Sequence, residues 1–116
     1  MNEIIYKISD RRSWSQAQAR GVYEGSPDDR RDGYIHFSTA PQLAATLAKH
    51  FAGQRDLILA AVPVAALGDA LKWEAARGGA LFPHLYAPLP MDAVLWSLPL
   101  PLDGAGEPML PEGVAS

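Results

Sequence analysis

Cysteine is absent from all 116 residues. That excludes disulfides, iron–sulfur clusters, thiolate zinc sites and a thiol nucleophile. Positive charge is scarce too: ten Lys and Arg against thirteen Asp and Glu leave a net charge of −3 and a pI of about 5.5. The densest basic pair, Arg30-Arg31, is hemmed by Asp28, Asp29 and Asp32. Duplex nucleic-acid binders carry a basic stripe that displaces counterions from phosphate, and no such stripe is present. The balance argues against duplex nucleic acid and for a small-molecule ligand. No apolar run approaches the roughly 18 residues of a membrane span. The first residues lack the basic-then-apolar run of a signal peptide, so a cytoplasmic protein without a membrane partner is expected. Neither a Walker loop nor G-x-G-x-x-G occurs. Nothing in the sequence specifies the oligomeric state.

What remains is ordinary for one globular domain, with 48% hydrophobic and 20% charged residues. Ile4–Ile8 reads as a first strand. Ser13 with Gln16 fits a capping box for a helix from Trp14 to about Arg20, stopped by Gly21. Turn residues make 23–33 a loop, and 34–38 a strand. Thr39 and Gln42 form a second capping box before an amphipathic helix carrying Leu43, Leu47, His50 and Phe51. On that stripe His50 reads as core-edge packing. Leu57–Val62 is a continuous apolar run, as in a central strand buried on both faces. Leu71–Ala75 alternates like an edge strand, Gly78-Gly79 turns the chain into a strand over 81–87, and Val94–Leu98 closes the set. Strands outnumber helices, so the expected fold is α+β: a single domain with a mainly antiparallel sheet and two helices over residues 1–98. Residues 99–116 are expected to be a loose Pro- and Gly-rich tail.

The chemistry concentrates on two strands. In Tyr34-Ile35-His36-Phe37-Ser38 the side chains alternate, so Ile35 and Phe37 share a core face while Tyr34, His36 and Ser38 form a polar row opposite. His84 and Tyr86 form a second row opposite Leu85 and Ala87. Two polar-aromatic rows on buried strands suit a pocket for a polar ligand, provided that both face one cavity. His36 and His84 are candidates for acid–base work. Glu74 is a candidate general base, and Arg77 could pair with a ligand anion. Ser38 and Thr39 place hydroxyls beside a helix N-terminus. Each has a structural alternative: a half-buried histidine held by a carbonyl, an N-cap at Thr39, an ion pair between Arg77 and Glu74. His36, His50 and His84 share no ligand spacing, so no metal site is expected. Ser38 lacks the glycines of a nucleophile elbow.

Ile5-Tyr6-Lys7-Ile8, Trp14, Gly33-Tyr34-Ile35-His36-Phe37-Ser38, His50-Phe51-Ala52-Gly53-Gln54, Trp73-Glu74, and Arg77-Gly78-Gly79 with Phe82-Pro83-His84-Leu85-Tyr86 resemble a family of small bacterial and plant proteins. It is catalogued as domain of unknown function 952, and the resemblance extends to about Leu98. That family has a distant likeness to the ADP-ribosyltransferase-like fold, which implies a bent, split antiparallel sheet. It also implies His36 holding a ribose hydroxyl of NAD, with Ser38 and Thr39 following. Two positions depart from that pattern. Phe37 stands where those transferases have Gly, and no Glu opens the late strand.

The expected function is a polar His/Tyr/Ser pocket for NAD, as a substrate, or a nucleotide-like ligand, with transferase-type chemistry. His36, His84 and Glu74 would be catalytic, and Tyr34, Ser38, Thr39, Arg77 and Tyr86 ligand-binding. The alternatives are a non-catalytic binding or regulatory module, and a hydrolase using His36 and His84 as acid and base.

Overall fold

A strand that is apolar at every position needs cover on both faces, and Leu57–Val62 finds it. A computed structural model describes residues 3–114, with Arg77 described in its backbone alone. In it β4 (Leu57–Pro63) is flanked on both sides by antiparallel partners, β1 (Ile4–Asp10) and β8 (Trp96–Pro99). Alternation along β4 divides its side chains between two cores. Ile58, Ala60 and Val62 join Ile5, Ile35, Phe37 and Leu85 together with Trp14 and Ala17 of α1 (Arg11–Arg20). Leu57 and Leu59 join Ile8, Leu100 and, from α3 (Leu43–His50), Leu43 and Leu47. One helix therefore packs on each face of this sheet.

A second three-stranded sheet has the order β3 (Ile35–His36), β6 (Leu81–Leu85), β5 (Leu71–Ala75), all antiparallel. A third pairing joins β2 (Val22–Tyr23) to β7 (Leu89–Pro90). Among the described residues the two larger sheets are joined by one isolated bridge, where the Tyr6 amide donates to the Ser38 carbonyl at 2.8 Å and the Ser38 amide to the Tyr6 carbonyl at 2.9 Å. The result is a small α+β domain with split, antiparallel sheets and few helices. Among the described residues no helix is long and apolar enough to cross a membrane.

Several boundaries differ from the sequence reading. Helix α1 starts at Arg11, because Asp10 rather than Ser13 is its N-cap and accepts from the Ser13 amide at 2.9 Å. It does end at Gly21, whose φ of 87° suits glycine. The expected 23–33 loop contains a further helix, α2 (Pro27–Asp32), which brings the α-helices to three among the described residues. A proline and five charged residues carry no apolar stripe, so periodicity missed it. The 34–38 strand forms a ladder only at Ile35–His36, the 81–87 strand stops at Leu85, and the last strand is shifted to Trp96–Pro99. Beyond β8, Leu100 is buried in the second core, Leu110 and Val114 pack on it, and Glu107 accepts from the Gly53 amide at 2.8 Å.

Candidate functional site

Helix α2 is short, so its ends decide whether it forms. Ser26 caps it and accepts from the Asp29 amide at 3.1 Å, while the Asp29 carboxylate accepts from the Ser26 amide at 2.9 Å, a capping box with Pro27 in the first turn. Gly33, at φ 88°, closes the other end by donating to the Asp29 carbonyl at 2.9 Å. Gly25 must be glycine for a spatial reason: a Cβ there would lie 2.8 Å from Asp29 Cβ, and its φ is 107°. These constraints turn the Asp29 carboxylate inward, where it is only 2% exposed.

Asp29 is the hub of the site. Its Oδ1 accepts from His36 Nδ1 at 2.6 Å, from the His36 amide at 3.1 Å and from Lys7 Nζ at 3.1 Å. Its Oδ2 lies 2.8 Å from Lys7 Nζ. Lys7, 5% exposed, also donates to the His36 carbonyl at 3.0 Å. Burial works to raise the Asp29 pKa. The hydrogen bonds from His36 and Lys7, the Lys7 charge and the Ser26 amide outweigh it and hold the carboxyl well below its usual range. Burial lowers the Lys7 pKa against the opposing pull of Asp29. The other imidazole nitrogen, His36 Nε2, lies 2.9 Å from Asp32 Oδ2. Both ring nitrogens of His36 are thus committed to carboxylates.

His84 is arranged differently. It sits directly across the β3–β6 ladder from His36, with ring centroids 5.6 Å apart. It is 4% exposed, and its Nδ1 meets Glu74 Oε1 at 2.8 Å. The same Glu74 oxygen accepts from the Tyr86 hydroxyl at 2.7 Å. Those two hydrogen bonds, from Tyr86 first and His84 second, lower the Glu74 pKa. Glu74 is therefore a fixed acceptor that orients His84, with Nδ1 as its donor. No partner meets His84 Nε2 among the described residues. The Tyr34 ring stacks on His84 at 4.0 Å and 23°, and also touches the rings of His36 and Tyr86.

A cavity of about 350 Å³ opens on this cluster. Tyr34, His36, Ser38 and His84 all line it, so the first polar row and His84 of the second meet in one space. Glu74 and Tyr86 are not part of the lining and stand behind His84. Thr39 is also outside it, its amide donating to Gln42 Oε1 at 2.9 Å in the turn before α3. The Arg77 backbone lies in the turn Arg77–Gly79, and the role expected of its side chain falls outside what is described. Lining residues that the sequence reading did not take as site candidates include Lys7, Asp29, Asp32 and Thr46. His50, expected at the core edge, is exposed and lines the cavity instead. Two signals could have found the aspartate and lysine. Ser26-Pro27-Asp28-Asp29 spells an N-cap, a first-turn proline and an acid at N3. A lone lysine in Ile4-Ile5-Tyr6-Lys7-Ile8 needs a carboxylate if it is buried.

A family model described as protein of unknown function (DUF952) matches residues 8–97. Among solved structures, the X-ray structure of protein CC0527 from Caulobacter crescentus is 50% identical, with a TM-score of 0.88, and the match covers 92% of this chain and 94% of that one. A double mutant of the same protein matches equally. Its solution NMR structure matches at 50% identity and a TM-score of 0.83, covering 92% of each chain. All three come from structural genomics and carry no stated activity. No curated protein matches the chain significantly.

Proposed function

This chain belongs to the DUF952 family of proteins of unknown function, and from its site we propose a small-molecule-binding domain in which His84, backed by Glu74, exchanges a proton with the ligand. The observation that carries this reading is the asymmetry of the two histidines. His36 has a carboxylate on each nitrogen, whereas His84 has one on Nδ1 only and lines the cavity. A carboxylate behind Nδ1–H fixes the tautomer, so that a neutral ring bears its lone pair on Nε2. That is the arrangement of a positioned general base. His36, locked by Asp29, supplies the rigid frame opposite.

A nucleotide-like ligand with ribosyl-transfer chemistry, as the likeness to ADP-ribosyltransferases implies, is the second reading. It is favoured by His36 facing the cavity, where a ribose hydroxyl could replace Asp32 at Nε2. The diphosphate of NAD finds less support. The lining cations with described side chains, Lys7 and Arg31, are already held by Asp29 and by Asp28 with Asp32.

Thermal unfolding of the wild type, His84→Ala and His36→Ala against adenosine, NAD, ADP-ribose, sugars and small amines tests both readings, with released nicotinamide assayed in the same samples. A compound at about a hundred times its dissociation constant adds roughly 2.7 kcal/mol. The first reading expects a wild-type shift that His84→Ala removes. Nicotinamide release would favour the second, and a shift that both variants retain would remove the site from this cavity.

A further inference from the structure

The hydrogen-bonding capacity left over in the cavity specifies a ligand class. Resting on the reading that this cavity binds a small molecule, we propose that its ligand presents a cationic nitrogen, an ammonium or guanidinium-type group, beside a flat ring.

Thr46 Oγ1 donates its one hydrogen to the Gln42 carbonyl at 3.0 Å. The Ser38 hydroxyl, 3.0 Å from Thr46 Oγ1, must therefore donate to it, which leaves Ser38 only lone pairs for the cavity. A neutral His84, with Nδ1–H on Glu74, offers a lone pair at Nε2. Asp32 accepts from His36 and from Arg31 at 3.2 Å, and its oxygens retain further acceptor sites. The cationic donors already hold carboxylates in contrast, Arg31 keeping three of its five N–H groups on an exposed side chain. Lys7 is divided between Asp29 and the His36 carbonyl, Arg31 between Asp28 and Asp32, and His36 between Asp29 and Asp32.

An arriving anion would meet acceptors and already paired cations. A cationic nitrogen would instead find Ser38, His84 and Asp32 as acceptors, two of them nine-tenths buried, where charge-assisted bonds are strongest. Phe82 and Tyr34 line the same space and supply aromatic surface for a ring or for the cation itself.

Three probes of one shape isolate the charge: phenethylamine, 2-phenylethanol and phenylacetate, titrated into the isotope-labelled protein by NMR. The expected result is saturable shifts at Ser38, Tyr34 and His84 with the amine, at least tenfold tighter than with the alcohol, and the acid weakest. Asp32→Asn, at a partly exposed position, should weaken the amine about tenfold and leave the alcohol unchanged. If the alcohol or the acid shifts those residues as tightly as the amine, the cation inference is wrong while the pocket stands. An Asp32→Asn variant that binds the amine like wild type also overturns the inference. If none of the three moves these signals, the pocket reading fails and takes the inference with it.

Discussion

Asp29→Asn keeps the shape of the side chain and removes its charge, so it isolates what the hub contributes. The amide nitrogen that replaces one oxygen must face donors, the His36 ring and amide at Oδ1 or the Ser26 amide at Oδ2, with Lys7 Nζ beside either one. Lys7 is then left buried without a counter-ion. Breaking a buried pair by removing one partner costs about 3–5 kcal/mol, because the remaining charge is uncompensated. That is a large part of the roughly 5–15 kcal/mol that holds a domain together. At roughly 4 °C per kcal/mol for a chain of this length, the melting midpoint should fall by about 12–20 °C. Urea and thermal unfolding followed by circular dichroism would measure it. Two controls sharpen the test. Lys7→Met should cost less, because Asp29 keeps His36 and Ser26 as donors. Asp28→Asn, at an exposed pair with Arg31, should barely move the midpoint. A drop for Asp29→Asn no larger than for Asp28→Asn, or one smaller than for Lys7→Met, would refute the hub.

Acid unfolding follows from the same group. A carboxyl whose folded pKa lies below its unfolded value of about 3.9 adds stability that is complete above that value and is lost as pH falls beneath it. The gap in stability between wild type and Asp29→Asn should therefore narrow below about pH 4, and a constant gap would contradict the assignment. Gly25→Ala should cost about 1–3 kcal/mol through its strained φ and in addition collide with Asp29, so it should destabilise more than Gly21→Ala, where an added Cβ meets nothing within 4 Å. The hydrogen bond to Glu74, followed by burial, pushes the Tyr86 phenol up to about 12. In Glu74→Gln its absorbance titration should move back toward about 10, and an unchanged midpoint would separate Tyr86 from Glu74.

The parts of this fold that a linear reading could reach are those with local periodicity. The run Leu57–Val62 announced a strand covered on both faces, and β4 is that strand. The alternation separated Ile35 and Phe37, both in the core, from Tyr34, His36 and Ser38, which line the cavity, although Phe37 also reaches its wall. Long-range pairings carried no such mark. Val22–Tyr23 against Leu89–Pro90 is two residues deep, too short for any pattern. Asp29 escaped because its capping role and its site role share one carboxylate, and α2 has no apolar stripe to betray it. Lys7 carries no local pattern of its own within the first strand, and burial next to Asp29 explains its place. The histidines were legible as residues, but their unequal surroundings came from tertiary contacts with Asp29, Asp32 and Glu74.

The central claim is that His84, and not His36, has a nitrogen free for the ligand. Long-range proton–nitrogen correlation spectra of the imidazoles, recorded where the His84 ring is neutral and repeated with phenethylamine, test it most directly. The account predicts an Nδ1–H tautomer for His84 held by Glu74, a bare Nε2 that shifts on binding, and a much smaller change at His36. An Nε2–H tautomer for His84, or a ligand response confined to His36, would contradict it.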